Sequence, residues 1–183
     1  MMEIKKVSSK ICFIGDGGVG KTSLIRRYVH DMFDDKYITT IGTKVSRKEL
    51  IFDYPHRNVQ VQLNAMIWDI MGQRAFRGLL KEAYFNGANG ILGVCSLTDL
   101  DSLLSLVDWI NSVKAMVGDI PIMILVNKSD LKEHSQFGDK EIQQIATLIG
   151  AEFLYTSAKT GENVPSAFDT IGKLMLKSQM NLT

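Results

Sequence analysis

Residues 10–22, Lys-Ile-Cys-Phe-Ile-Gly-Asp-Gly-Gly-Val-Gly-Lys-Thr, decide the fold. An apolar run of strand type (KICFIG, 10–15) passes directly into a glycine-rich loop. The loop in turn opens a helical stretch, GKTSLIRRYVH. Gly15 to Thr22 matches G-x-x-x-x-G-K-[ST], and each position has a physical reason. Glycines let the backbone curl until successive N–H groups point inward at a β-phosphate. The helix starting near Gly20 adds the positive end of its dipole. Lys21 neutralises charge on β- and γ-phosphates, and the Thr22 hydroxyl is a hard oxygen ligand suited to Mg²⁺. Alone, the loop implies a nucleoside triphosphate and leaves ATPases and adenylate-type kinases open.

Outward from this loop, short apolar runs alternate with helical patterns. Val59, Val61, Leu63, Ala65 and Ile67 recur with a period of two, so residues 59–67 form a strand with one buried face. KVSRKELIF pairs with it across the turn-rich DYPHRN. GILGVCSL and PIMILVN are the continuous apolar strands of a parallel sheet interior. Between them, Leu103, Leu106, Val107, Ile110, Val113 and Val117 keep helical spacing, with Asp99 or Asp101 as cap. EIQQIATLIG is a helix closed by Gly150, AEFLYTS a short strand, and VPSAFDTIGKLML a last helix. The pattern predicts a single α/β domain over residues 1–183. Its six-stranded, mostly parallel sheet has one antiparallel strand and helices on both faces. Ligands on such sheets sit beyond the carboxyl ends of the strands.

One of those ends carries Asn127-Lys128-Ser129-Asp130. Guanine presents two donors, N1–H and the 2-amino group, where adenine presents neither. A carboxylate accepts both, so Asp130 is the natural reader of guanine. The stem of Lys128 can lie along the base, and Asn127 can tie this loop to the phosphate loop. Ser157-Ala158-Lys159 follows the next strand, where the Ala158 N–H can donate to the guanine carbonyl.

The bulk properties exclude other classes. A formal charge of +1, with 45% hydrophobic residues, gives no global attraction to nucleic acid or anionic membrane. Cys12 and Cys95 lie inside apolar runs and read as buried reduced thiols. MMEIKK lacks the apolar core of a signal peptide, IPIMILV is too short to span a bilayer, and KSQMNLT offers no cysteine for prenylation. The expectation is a cytoplasmic monomer without an intrinsic lipid anchor.

GDGGVGKT, YITTIG, WDIMGQ, AYFNGANGIL, NKSD and SAK stand in the order found in the Ras superfamily of small GTPases. Over roughly residues 8–177 the chain resembles that superfamily, most closely its Rab and Ras branches. The resemblance implies a P-loop G domain that binds GTP with Mg²⁺, hydrolyses it slowly, and meets effector, activating and exchange proteins. It implies phosphate contacts from Asp16, Gly17, Gly18, Val19, Gly20, Lys21, Thr22, Ser23, Tyr37, Thr40 and Gly72. It implies guanine contacts from Phe33, Asn127, Lys128, Asp130, Ser157, Ala158 and Lys159. Thr22, Thr40 and, through a water, Asp69 would hold the metal, and Gln73 would orient the attacking water. Switch I would span about 31–42 and switch II about 69–82.

Three departures stand out. Ile70-Met71 replaces the usual Thr-Ala pair, placing Met71 near the γ-phosphate by analogy. Arg74 replaces the usual glutamate, and the hairpin between Thr43 and Ile67 is long. No arginine occurs in 31–42, so roughly 10³–10⁵-fold of rate is left for a partner to supply. A hydrolysis-deficient guanine-nucleotide-binding scaffold is the alternative that Ile70-Met71 leaves open.

Overall fold

A computed structural model describes residues 2–36, 38–73 and 81–180. The elements run β1 Glu3–Ile14, α1 Lys21–His30, β2 Thr43–Tyr54, β3 Val59–Ile70, α2 Lys81–Phe85, β4 Gly90–Ser96, α3 Leu100–Leu104, α4 Leu106–Val117, β5 Ile122–Asn127, α5 Asp139–Ile149, β6 Glu152–Tyr155 and α6 Val164–Met180. The six strands form one sheet in the order β2-β3-β1-β4-β5-β6. Only β2 runs antiparallel to its neighbour. The expected α/β class and mostly parallel sheet are what the molecule has.

Alternation along the central strands explains the continuous apolar runs. Ile11 and Phe13 of β1 point into a core shared with α1 and α6, while Cys12 and Ile14 point into a second core with α4 and α5. Both faces are covered, so the last four positions of β1, Ile11 to Ile14, are all apolar. Phe168 of α6 anchors the first core. It stacks on Tyr28 with ring centroids 3.6 Å apart and is fully buried, worth about 2–3 kcal/mol in transfer free energy.

The hairpin register is Tyr54↔Val59, closed by a single helical turn at Pro55–Arg57 and by Asn58 in the left-handed region (φ 53°). Val59, Val61, Leu63, Ala65 and Ile67 are all buried, as their period requires. β1 begins earlier than its apolar run, because Glu3 already pairs with Val59 and the polar residues 3–9 complete the hairpin's third strand. Near the far end of that ladder Lys10 is buried. Its ammonium lies 3.7 Å from the Trp68 ring centre and donates to the Asn86 carbonyl at 2.9 Å, and burial holds its pKa below the usual lysine range.

The helical pattern over 100–117 splits in two at Ser105. Asp99 caps the first piece by accepting from the Ser102 N–H at 3.2 Å. Gly150 ends α5 in the left-handed region (φ 75°). Among the described residues, no helix is long and apolar enough to cross a membrane.

Candidate functional site

The loops leaving β1, β3, β5 and β6, with the segment leaving α1, enclose a cleft of about 650 Å³. It is lined, among others, by Gly17, Gly18, Gly20, Lys21, Thr22 and Ser23 from the loop and α1, and by Phe33 and Thr40 from the following segment. Asp69, Gly72 and Gln73 close one end, and Asn127, Lys128, Asp130, Ala158 and Lys159 the other. Residues separated by more than a hundred positions thus share one wall.

At the phosphate end, Lys21 is buried at the first position of α1 and donates to the Gly15 and Asp16 carbonyls, both at 2.7 Å. Burial lowers its pKa to about 8, with Asp69 and Asp16 opposing the shift. The Thr22 hydroxyl donates to Asp69 Oδ2 at 2.5 Å and lies 2.9 Å from the Thr40 hydroxyl. Burial raises the Asp69 pKa above the ordinary carboxylate value. The Thr22 bond and the charges of Lys21, Lys44 and Arg26 pull the other way. Asp69 Oδ1 is buried without a hydrogen-bond partner among the described residues. Two hydroxyls and a carboxylate with a spare buried oxygen form the hard-oxygen donor set that Mg²⁺ prefers, so the residues fit that ion.

At the other end, Asp130 Oδ1 accepts from the Ser157 hydroxyl at 2.6 Å, which fixes the carboxylate. Lys128 sits at φ 67°, an uncommon conformation for a lysine, at the turn after β5. Asn127 joins the two ends. Its Nδ2 donates to the Val19 carbonyl at 2.9 Å, and its Oδ1 accepts from the Ala158 N–H at 3.2 Å. Gly20 makes that strut possible: at φ 101°, a Cβ would stand 2.2 Å from Asn127 Nδ2. At Gly72 a Cβ would come within 2.5 Å of the Asp16–Gly17 backbone, so only glycine lets the chain after β3 pass so close to the loop.

Asp16, Val19 and Ser157 are not among the cleft-lining residues. The Asp16 side chain accepts from the Ser105 hydroxyl at 2.7 Å and from Trp109 Nε1 at 3.0 Å, and its backbone carbonyl accepts from Lys21. The Val19 side chain is in the core, and Ser157 lies beneath Asp130. Met71 is half-buried with its N–H on the Gly42 carbonyl at 3.1 Å. The wall there is made by Gly72 and Gln73. Tyr37 and Arg74 lie outside the described residues.

Sequence reasoning missed Arg26 and Lys44, which line the cleft beside Asp69, and Arg27, whose partners are the Ala158 and Lys159 carbonyls and Asp31. Lys44 had a usable signal, since the hairpin register sets it opposite Asp69. Arg27 had none.

The Ras family model matches residues 10–177. The chain is 31% identical over 174 residues to Ras-related protein Rab-27B of Homo sapiens, covering 92% of this chain and 79% of the relative. It is 36% identical over 168 residues to Ras-related protein Rab-8 of Diplobatis ommata (90% and 75%), and 33% identical over 172 residues to Ras-related protein Rab-21 of Bos taurus (93% and 74%).

Proposed function

The chain belongs to the Ras family of small GTPases, close to its Rab members, and from that footing we propose that it is a Mg²⁺-dependent GTP switch with slow intrinsic hydrolysis. One observation supports this most strongly. A charge-neutralising end (Lys21, Thr22, Thr40, Asp69) and an acceptor for guanine (Asp130) face the same cleft and are tied together by Asn127.

In this reading, the loop amides and Lys21 take the β- and γ-phosphates, and Phe33, Lys128, Ala158 and Lys159 surround the base that Asp130 selects. Thr22, Thr40 and, through a water, Asp69 would hold Mg²⁺, which would supply charge neutralisation at the phosphates. Gln73 is exposed at the cleft mouth and positions water for attack. Thr40 and the Gly72 N–H have a partner in the γ-phosphate of GTP and none in GDP. Segments 31–42 and 69–82 therefore differ between the two states. Effector, activating and exchange proteins would read that difference. Hydrolysis is slow because 31–42 supplies no arginine to the phosphoryl group being transferred to water as GDP leaves.

The test is phosphate release from the purified protein, with GTP or ATP, and with or without Mg²⁺. Slow Mg²⁺-dependent release from GTP alone is expected. Tight GTP binding with no release would favour the scaffold reading that Ile70-Met71 motivates, and equal use of ATP would sink guanine selection.

A further inference from the structure

α1 touches both ends of the cleft. Its first residues, Lys21 and Thr22, belong to the phosphate end, and two turns later Arg27 reaches the base end. Arg27 Nε donates to the Ala158 carbonyl at 2.8 Å, and Nη2 donates to the Lys159 carbonyl, also at 2.8 Å. The third nitrogen, Nη1, donates to Asp31 Oδ1 at 3.0 Å, at the residue that ends α1. The side chain is only 20% exposed, and Gly161 packs beside its stem. A planar guanidinium holds two consecutive carbonyls with two nitrogens in a fixed fork, a more rigid grip than one freely rotating ammonium shared between both.

Those carbonyls directly follow the Ala158 N–H. The other contacts on this loop include Ser157 N–H to the Glu162 carbonyl, Gly161 N–H to the Ser157 carbonyl, Thr160 N–H to the Ser157 hydroxyl, the Ser157 hydroxyl to Asp130 Oδ1, and Ala158 N–H to Asn127 Oδ1. None of these contacts reaches the Ala158 or Lys159 carbonyl itself.

We propose that Arg27 is the positioning residue of the guanine end, holding the 158–159 backbone so that the base is gripped and thereby setting how long nucleotide stays bound. The inference rests on the guanine reading of the preceding subsection. Arg27 is not a catalytic residue, since it touches backbone and Asp31 only among the contacts described.

The test uses the full chain loaded with a fluorescent GDP analogue and chased with excess GDP, with Mg²⁺–pyrophosphate affinity measured in parallel as a probe of the phosphate end alone. Arg27→Ala should release the analogue about ten- to a hundredfold faster, the order expected from losing two charge-assisted hydrogen bonds, while pyrophosphate affinity stays within about twofold. Arg27→Lys should recover only part of the residence time, because one rotating ammonium lacks the fixed fork of Nε and Nη2 that sets the two carbonyls relative to each other. Unchanged release from Arg27→Ala overturns the proposal, as does an equal loss of GDP and pyrophosphate, which would mark a general loosening of the fold. Wild-type protein that holds GDP no better than ADP would instead sink the guanine reading, and the inference with it.

Discussion

The two ends of the cleft are built differently. At the end proposed for the base, Asn127, Thr156, Ser157 and Ala158 are almost wholly buried and cross-bonded, and Asp130 is already oriented by the Ser157 hydroxyl. At the end proposed for the γ-phosphate, Thr40 has one hydroxyl contact among the described residues, and Gln73 is exposed with its neighbours Met71 and Gly72 half-exposed. Ile38 and Ile41 stand in solvent there. A densely bonded end beside a sparsely bonded one suits the proposed switch, in which a preformed pocket would read identity and segments ordered by the ligand would read state.

The sharpest way to break this contrast is to invert the base reader. Asp130→Asn should lower guanine nucleotide affinity by roughly a thousandfold and shift preference to xanthine nucleotides, whose 2-carbonyl accepts from the new amide. Competitive displacement with GDP and XDP measures it, and retained guanine preference would remove Asp130 from the base. Next comes the opposite end. Gln73→Leu should reduce single-turnover GTP hydrolysis by about ten- to a hundredfold while GTP affinity moves less than about twofold. Equal hydrolysis by mutant and wild type would falsify the role given to Gln73. Thr40→Ala should weaken GTP by about tenfold and leave GDP residence nearly unchanged, because its γ-phosphate partner exists in one state only. A comparable loss for GDP would show that the two ends are not separable.

Smaller effects report on the scaffold beneath. Trp109→Phe leaves Asp16 short of a donor and should cost about 1–3 kcal/mol in chemical denaturation. Cys12 and Cys95 are fully buried, with burial pushing both thiols up to about 12, so thiol reagents at neutral pH should label neither until the protein unfolds.

Much of the architecture was legible because it rests on local pattern. The strand–loop–helix from Lys10 to Thr22, the period of two over Val59–Ile67 and the glycine at 150 each state their structure within a few residues. The limits were also physical. The helix expected across 100–117 splits at Ser105, whose hydroxyl donates to Asp16, 89 residues away, and no periodicity encodes that partner. The polar start of β1 was missed because Glu3 to Ser9 extend only against a hairpin that must already exist. The cleft wall was readable where a motif names the side-chain type, as at Lys21, Thr22 and Asp130, all of which line it. Arg27 was not, since it serves two backbone carbonyls that any residue could present.

Lys10 seated on Trp68 has one more consequence. The chain holds two tryptophans, and both sit against cleft machinery: Trp68 immediately before Asp69, with an ammonium on its ring, and Trp109 bonded to the phosphate loop through Asp16. A shift of the segment after β3 alters the field at one indole, and a shift of the loop alters the other. The molecule thus carries two native optical gauges, one beside Asp69 and one on the loop after β1, whose emission can be followed without attaching a dye.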